Sequence, residues 1–446
     1  MHLLKCIHRK LWLELSMNLR SLFPSVALAA GLFLVFTGTA RSAVTLGIDE
    51  LEKSNFAVLK GKRVGLVTNP SGADSRGRSA IDVLDHGQSA GFRLVKLFGP
   101  EHGIDGKTAA GDPVSNSRDP HTGLPVYSLF ITPDGNYRHP THEMFSGLDA
   151  IVYDVQDLGN RSYTFISTLG YVMDQAARDH IQVIVLDRPD PLGGVRIEGP
   201  RLNDGVQSFV GLYDIPLVYG LTPGELALWI NAKYLDRPCR LTIISMRGWI
   251  RPMVWEDTGL KWIPTSPNIP TIAAARGYTA TGFLGEIGIE SGCGGPNPFQ
   301  VIQGRDWDAG ALARRFNALN VPGVRARTLD SDRESGVYLQ IDPRNSGNLT
   351  AINLQTIEIL EDIVDGFSPF GRTDFDQRDM FDKVSGSTRI RRQLVDGRPV
   401  TDIVHSWDSG VARWAVERQP YLLYGSTPAR PAKTPGIIAD ITPPAP

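Results

Sequence analysis

Four short apolar runs in this chain each end in a polar, turn-forming tip, and that repetition restricts the fold more than any other feature. Val64–Val67 runs into Thr68-Asn69-Pro70-Ser71-Gly72, and Phe92–Phe98 into Gly99-Pro100-Glu101-His102-Gly103. Ile151–Tyr153 runs into Asp154-Val155-Gln156-Asp157-Leu158-Gly159-Asn160-Arg161, and Val183–Leu186 into Asp187-Arg188-Pro189-Asp190. Side chains at the carboxyl end of a parallel strand project into the crevice where open α/β sheets bind ligands. One such tip alone reads as a solvated loop. Four of them, loaded with Asn, Asp, Glu, His and Arg, read as one site assembled from several loops.

The spacing supports a parallel sheet. Strand starts near residues 64, 92, 151, 183 and 241 are separated by about one or two multiples of the ~30 residues that a βαβ unit needs. Helical patterns fill the gaps at Gly47–Phe56, Ser79–His86, Thr168–His180 and Pro223–Tyr234. The last opens with Thr222-Pro223-Gly224-Glu225, a capping box with proline at the first helical position. The alternation predicts an α/β fold, a doubly wound and mainly parallel sheet that ends with Leu241–Ser245. Beyond Trp262 the character changes. Pro264–Thr271 is proline-rich and Gly285–Pro298 glycine-rich, followed by a strand at Val337–Ile341 and helices at Asn353–Val364 and Ile403–Glu417. A chain of 446 residues exceeds what one core usually fills. Residues 41–265 therefore read as the main domain, 266–432 as a smaller α+β domain and 433–446 as a Pro-rich tail.

The N-terminus has the pattern of an export signal. Lys5, Arg9, Lys10 and Arg20 precede the apolar run Val26–Phe36, and Thr37-Gly38-Thr39-Ala40 places small residues before a cleavage point after Ala40. That apolar core is too short to span a bilayer, and translation from Met17 would give a basic region of ordinary length. No cysteine stands at the cleavage point, and no later stretch is long and apolar enough to cross a membrane. The expected product is secreted or periplasmic, with no stable membrane anchor after cleavage. A net charge of −2 without a basic stripe leaves no electrostatic footprint for nucleic acid. Cys6 leaves with the signal, so Cys239 and Cys293 form one disulfide or stay as buried thiols.

Several short motifs fail on context. Glu101–Thr108 reads E-H-G-I-D-G-K-T, with a carboxylate where a phosphate loop has its first glycine, and Gly111-Asp112-Pro113 breaks the helix that should follow. Gly87-Gln88-Ser89-Ala90-Gly91 matches a nucleophile elbow, but here the helix precedes and the strand follows. His139, His142 and Glu143 lack the spacing of a zinc helix, and Pro140 opposes one. No glycine fingerprint for a dinucleotide follows the first strand. No cofactor and no metal are expected.

The chemistry left is acid–base work by carboxyl groups. Glycoside hydrolysis needs two of them, or one plus an acetamido group of the substrate. Glu101 is the leading general acid, with Phe98 and Pro100 as an expected apolar flank. His102 beside it and Glu198 complete the catalytic candidates, while Asp154, Asp157 and Glu286 are further carboxyl partners. Asn69, Gln156, Asn160, Arg161, Tyr163 and Thr164 carry the hydrogen-bonding groups that a sugar hydroxyl, an amide or a lactyl carboxylate requires. With Asp154, Asp157 and Glu286 they form the expected substrate-binding set. Arg161 is the natural fork for a carboxylate, with an ion pair to Asp154 or Asp157 as its structural alternative.

The same tips carry a resemblance. Val64–Gly72, Phe98–Gly103, Asp154–Thr164, Leu186–Gly194 and Glu198-Gly199-Pro200 are similar, in order, to motifs of the NamZ-type exo-β-N-acetylmuramidases. The similarity continues through Gly220–Leu226 and Ser266–Thr271 to Tyr421–Tyr424. It implies a Rossmann-like domain plus an auxiliary domain, with the active site in the cleft between them. It also implies release of N-acetylmuramic acid from the non-reducing end of peptidoglycan-derived muramyl saccharides, and a catalytic glutamate at Glu101. Whether the second catalytic group is a carboxylate or the substrate's acetamido group stays open. One loop departs from the family pattern E-G-T-N-x-S-x-G-R-G-T. Here Glu286, Ser291 and Pro298-Phe299 match, but Ile289 and Gly294 stand at the asparagine and arginine positions. That departure predicts retained Glu101 chemistry with a changed substrate demand. A non-catalytic cell-wall sugar-binding protein and a hydrolase of a different amino sugar are the rival readings.

Overall fold

Along the central strands, successive residues bury in opposite directions, and this alternation builds two cores on one sheet. The computed structural model describes residues 44–131, 139–203, 205–330, 335–427 and 437–441. The expected signal, residues 1–40, lies outside them. The main sheet contains β1 (Arg63–Thr68), β2 (Arg93–Gly99), β3 (Ser117–Arg118), β4 (Pro125–Ser128), β5 (Ala150–Asp154), β6 (Gln182–Leu186), β7 (Leu241–Ile244) and, far along the chain, β11 (Ile437–Ile441). Their order is β11-β7-β6-β5-β1-β2-β4-β3. The strands from β7 to β4 pair in parallel, and β3 and β11 close the edges antiparallel. The expected sheet therefore forms, but β7 is not its last strand. A five-residue run inside the expected tail adds the final edge, where a strand needs only one hydrogen-bonding neighbour.

Ile151 and Tyr153 of β5, Val183 and Val185 of β6, and Leu241 and Ile243 of β7 share one core. Ala150, Val152, Ile184, Leu186 and Ile244 share the other. A period of two sends neighbouring side chains to opposite faces, and each fully buried aliphatic side chain contributes about 1.5–3 kcal/mol of transfer free energy. Helices α1 (Gly47–Lys53) and α2 (Ala80–Gly87) contribute to the second of these cores. The short α3 (His142–Phe145), α4 (Phe165–Arg178) and α5 (Pro223–Lys233) contribute to the first. The capping box that opens α5 is made: Thr222 Oγ1 accepts from the Glu225 amide at 3.2 Å, and Glu225 Oε2 accepts from the Thr222 amide at 3.1 Å.

The second domain has its own three-stranded antiparallel sheet, ordered β8-β10-β9, from β8 (Val301–Gly304), β9 (Val324–Asp330) and β10 (Ser335–Ile341). With it come α6 (Ile272–Thr281), α7 (Ala309–Ala318), α8 (Leu349–Ile363), α9 (Phe375–Ser385), α10 (Thr388–Val395) and α11 (Val400–His405), and α12 (Asp408–Glu417) follows them in the chain. The single helix expected over Ile403–Glu417 is two. Trp407 buries in the second domain's core and Trp414 in the first domain's core. Residues seven apart share one stripe of a continuous helix, so the break between α11 and α12 is what lets the two indoles reach different cores.

The connections set the ligand crevice. From β1 the chain steps outward to β2 on one side, while β5, β6 and β7 lie on the other. The carboxyl ends of β1 and β5 thus flank the switch point where such sheets bind ligands. Packing there is tight. The tip after β1 folds back so closely that a Cβ on Gly72 would stand 2.1 Å from Thr68 Oγ1 and 2.3 Å from the Asp154 carbonyl. The Thr68 hydroxyl itself donates to that carbonyl at 2.9 Å. Gly72→Ala is expected to cost about 1–3 kcal/mol, the range for forced overpacking. Urea unfolding measures it, and an unchanged midpoint would refute the close approach.

Candidate active site

Gly99 ends β2, and the chain turns at once into the Glu101 loop. His102 and Gly103 both take left-handed backbone angles, with φ of 71° and 78°. His102 is buried, and its Nδ1 lies 2.8 Å from the Thr108 carbonyl, while the Thr108 amide donates back to the His102 carbonyl at 3.1 Å. The imidazole named as a catalytic candidate thus pins its own loop. Phe98 does not flank the carboxyl either. It is fully buried, with its ring centroid 5.7 Å from that of Tyr127 and 5.5 Å from that of Phe145. What meets Glu101 is polar. Thr164 Oγ1 lies 2.6 Å from its Oε2, and the Gly111 amide donates to its Oε1 at 3.1 Å.

Thr164 ends the connection between β5 and α4, which ties the other tips together. The Tyr163 hydroxyl donates to Thr265 Oγ1 at 2.8 Å, and Asn69 Nδ2 reaches the Thr265 carbonyl at 3.5 Å. Asn69 Oδ1 in turn accepts from the Ser71 amide and hydroxyl at 3.0 and 2.5 Å. Asn160 Oδ1 holds the Ser162 amide and hydroxyl, and its Nδ2 lies 3.5 Å from Thr279 Oγ1 on α6. Ser162 Oγ is 3.0 Å from the hydroxyl of Tyr278, also on α6. The Tyr278 ring stands edge-on to Tyr163 and to Phe299, with centroids 5.9 and 4.9 Å apart.

Tyr278 brings the second carboxyl group into view. Burial, with the negative charges of Glu286 and Glu101, pushes its phenol upward, so both carboxyl groups act on one hydroxyl. Glu286 sits on the turn Leu284–Ile287, half-buried, with its carboxyl raised by desolvation. No hydrogen bond or ion pair engages the Glu286 side chain among the described residues. Tyr278, Ser162 and Thr265 were not foreseen: Ser162 lies within the Asp154–Thr164 motif without being singled out, and Tyr278 and Thr265 have the spacing of ordinary helix and loop residues.

Several expected site residues belong to the framework instead. Asp154 forms a buried ion pair with Arg188 at 2.6 Å. Gln156 donates to the Asp157 and Pro189 carbonyls at 2.9 and 2.8 Å. Glu198 pairs with Arg196 and accepts from the Thr350 amide at 3.1 Å, at the start of α8. Arg161 is neither a carboxylate fork nor an ion-pair partner of Asp154 or Asp157. It is fully buried, and its guanidinium donates to the carbonyls of Pro200 and Ile215 at 2.7 and 2.8 Å. Burial pushes that guanidinium down to about 9. Cys239 and Cys293 are both free. Burial pushes the Cys239 thiol up to about 12, but Cys293 lies exposed on the glycine-rich loop, contrary to the expected buried thiol. In that loop Ile289 faces the second domain's core, so its position does not contribute a cleft contact. Gly294 is exposed and its amide donates to Asn268 Oδ1 at 2.9 Å.

Asp157 is buried beneath the same connection. Its Oδ2 accepts from Gly159 at 2.7 Å and from the Tyr219 hydroxyl, and no partner reaches Oδ1 among the described residues. Burial outweighs these bonds and pushes the carboxyl up to about 6, from an ordinary 3.8. A folded-state value above the unfolded one favours the protonated form. The resulting stability is complete below about pH 4 and is lost as pH rises through about 6. The melting temperature should therefore fall between pH 4 and 7, and Asp157→Asn should flatten that slope. An equal slope in the variant would assign the pH dependence elsewhere.

The chain matches the sequence model of the exo-beta-N-acetylmuramidase NamZ N-terminal domain over residues 64–273, and that of the C-terminal domain over 276–424. The peptidoglycan beta-N-acetylmuramidase NamZ of Bacillus subtilis (strain 168) is 36% identical over 420 residues, covering 89% of this chain and 99% of that protein. Two crystal structures of DUF1343 family proteins from Bacteroides fragilis NCTC 9343 are similar in fold. One has a TM-score of 0.80 at 40% identity, covering 86% of this chain and 99% of the other. The second has a TM-score of 0.62 at 27% identity, covering 86% and 100%. With both domains matched in order and a relative aligned over nearly its whole length, this chain belongs to the exo-β-N-acetylmuramidase NamZ family.

Proposed function

We propose that this protein is an exo-acting glycosidase that releases terminal β-1,4-linked N-acetylmuramic acid from peptidoglycan fragments, with Glu101 as its general acid. The observation that carries this reading is Glu101 at a strand end beside the switch point, held by Thr164 of the β5–α4 connection, with burial and the charges of Glu286 and Glu101 together raising the Tyr278 phenol between them in the chain. Hydrolysis of a glycoside requires a proton on the leaving oxygen as the anomeric C–O bond breaks, and a second group to support attack at the anomeric carbon. Glu101 supplies the proton. Glu286 is our candidate for the second role, with the substrate's acetamido group as the alternative. Family membership supports the muramyl substrate, since the Bacillus subtilis relative is a peptidoglycan beta-N-acetylmuramidase.

Glu101→Gln keeps the shape of the side chain and cannot deliver a proton. We expect it to lower turnover of a chromogenic N-acetylmuramide by at least ~10²-fold while sugar binding survives. Equal loss of binding would make Glu101 a substrate anchor. Binding without hydrolysis by the unaltered protein, of this glycoside or the matching N-acetylglucosaminide, would make it a sugar-binding protein.

Export is the second part of the proposal. The basic region, short apolar core and small residues up to Ala40 support it, and no helix of the described residues is long and apolar enough to cross a membrane. N-terminal sequencing of the protein from its host should begin at Arg41, in the periplasmic or secreted fraction. A cytoplasmic chain that retains residues 1–40 would overturn it.

A further inference from the structure

Thr164 stands where a helix usually receives its side-chain cap, and it does not give one. It is the N-cap residue of α4, but its backbone is already helical, with φ −68° and ψ −12°, and its hydroxyl makes no capping bond. A threonine at an N-cap normally accepts a bond from the helix's own free amides. Here the hydroxyl turns to Glu101, 63 residues earlier on another strand end, at 2.6 Å from Oε2. It is nearly buried, at 8% exposure, so water does not replace that partner freely.

The opposite oxygen is constrained differently. Oε1 receives the Gly111 amide at 3.1 Å, and a backbone N–H can only donate. A carbonyl oxygen is a better acceptor than the hydroxyl oxygen of a carboxylic acid, so this amide favours the form with the proton on Oε2. That proton faces Thr164 Oγ1. A hydroxyl both accepts and donates and can rotate between the two, so it suits both states of the acid. Before transfer it accepts from the Glu101 O–H. After the proton moves to the leaving oxygen, it donates to the new carboxylate.

Building on the reading of Glu101 as general acid, we propose that Thr164 is a positioning residue that acts through Glu101, and that with the Gly111 amide it confines the catalytic proton to Oε2. This replaces the substrate contact expected of Thr164 from the sequence. The titratable groups around the pair are His102, Asp105 and Lys107 on the Glu101 loop, Tyr163 beside Thr164, and Tyr278 with Glu286 from the second domain. None of them receives the Thr164 hydroxyl.

The test compares Thr164→Val and Thr164→Ser, each alone and with Glu101→Gln, in kcat and KM against pH on a chromogenic N-acetylmuramide. Thr164→Val should lower kcat about tenfold or more, the scale of one hydrogen bond to a charged group, with KM changed by less than about twofold. The basic limb of its kcat profile should move upward, because the charge-assisted bond lost from the carboxylate is stronger than the bond lost from the neutral acid. Thr164→Ser should restore both. With Glu101→Gln the valine substitution should cost nothing further, since the hydroxyl acts only through that acid. A rise in KM at unchanged kcat would instead make Thr164 a substrate contact. Equal losses in the valine and serine variants, with a lowered melting temperature and an unmoved pH profile, would make it a packing residue. Full activity of Glu101→Gln alone would overturn the reading of Glu101 itself, and the positioning role with it.

Discussion

The structure depends on one buried polar connection, residues 155–164 between β5 and α4. Every residue in it is buried, although it carries Gln156, Asp157, Asn160, Arg161, Ser162 and Thr164. Polar groups taken from water must find partners inside the protein or cost about 1–3 kcal/mol each. That requirement sends this segment's side chains outward in every direction. Gln156 takes carbonyls beside β6, Arg161 takes carbonyls of residues 200 and 215, and Ser162 takes Tyr278 on the second domain. Thr164 takes Glu101. Satisfying the segment's hydrogen bonds and assembling the site are thus the same operation.

Arg161 shows the constraint at its sharpest. A guanidinium with no exposed surface would ordinarily sit against a carboxylate, yet here it is surrounded by main-chain carbonyls. Carbonyl dipoles take the Nη donors without adding a second buried ion, while Nε finds no partner among the described residues; the loss of water is not fully offset, and the guanidinium's proton affinity drops accordingly. The neighbouring Gly386 accommodates this: a Cβ there would lie 2.3 Å from Arg161 Nη2. A charge placed this way ties residue 161 to the main chain at Pro200, Ile215 and Val384 and leaves no fork free for a ligand.

Tyr278 couples the two domains at the site. Its hydroxyl meets Ser162 of the first domain, its ring meets Tyr163 of the first and Phe299 of the second, and the charges of Glu101 and Glu286 both act on it. Any change in how α6 packs against the β5–α4 connection therefore moves the surroundings of both carboxyl groups together. The C-terminal segment ties the domains a second time. Trp414 donates to the Tyr219 carbonyl at 2.8 Å, and Tyr424 donates to Asp187 Oδ2 at 2.5 Å.

The parallel strands, their order in the chain and the presence of Glu101 at a strand end were legible in the residues, because a period-two apolar run ended by Gly and Pro reports burial and a turn locally. The split helix at Trp407 was not, because it answers to which core each tryptophan fills. Edge strand β11 was not, because a Pro-rich context hides a five-residue run whose partner lies two hundred residues earlier. Most telling is the tip after β5. Its composition marked it as functional, and the individual roles assigned to Asp154, Gln156 and Arg161 were those of a solvent-facing ligand site. Residue type alone cannot distinguish a guanidinium that grips a substrate from one that holds three carbonyls. The sequence by itself determined the parallel strands, the family and the place of Glu101 at a strand end, since these rest on local patterns. Only the tertiary structure decided which polar groups face the crevice and which replace water inside, because that depends on partners brought from distant parts of the chain.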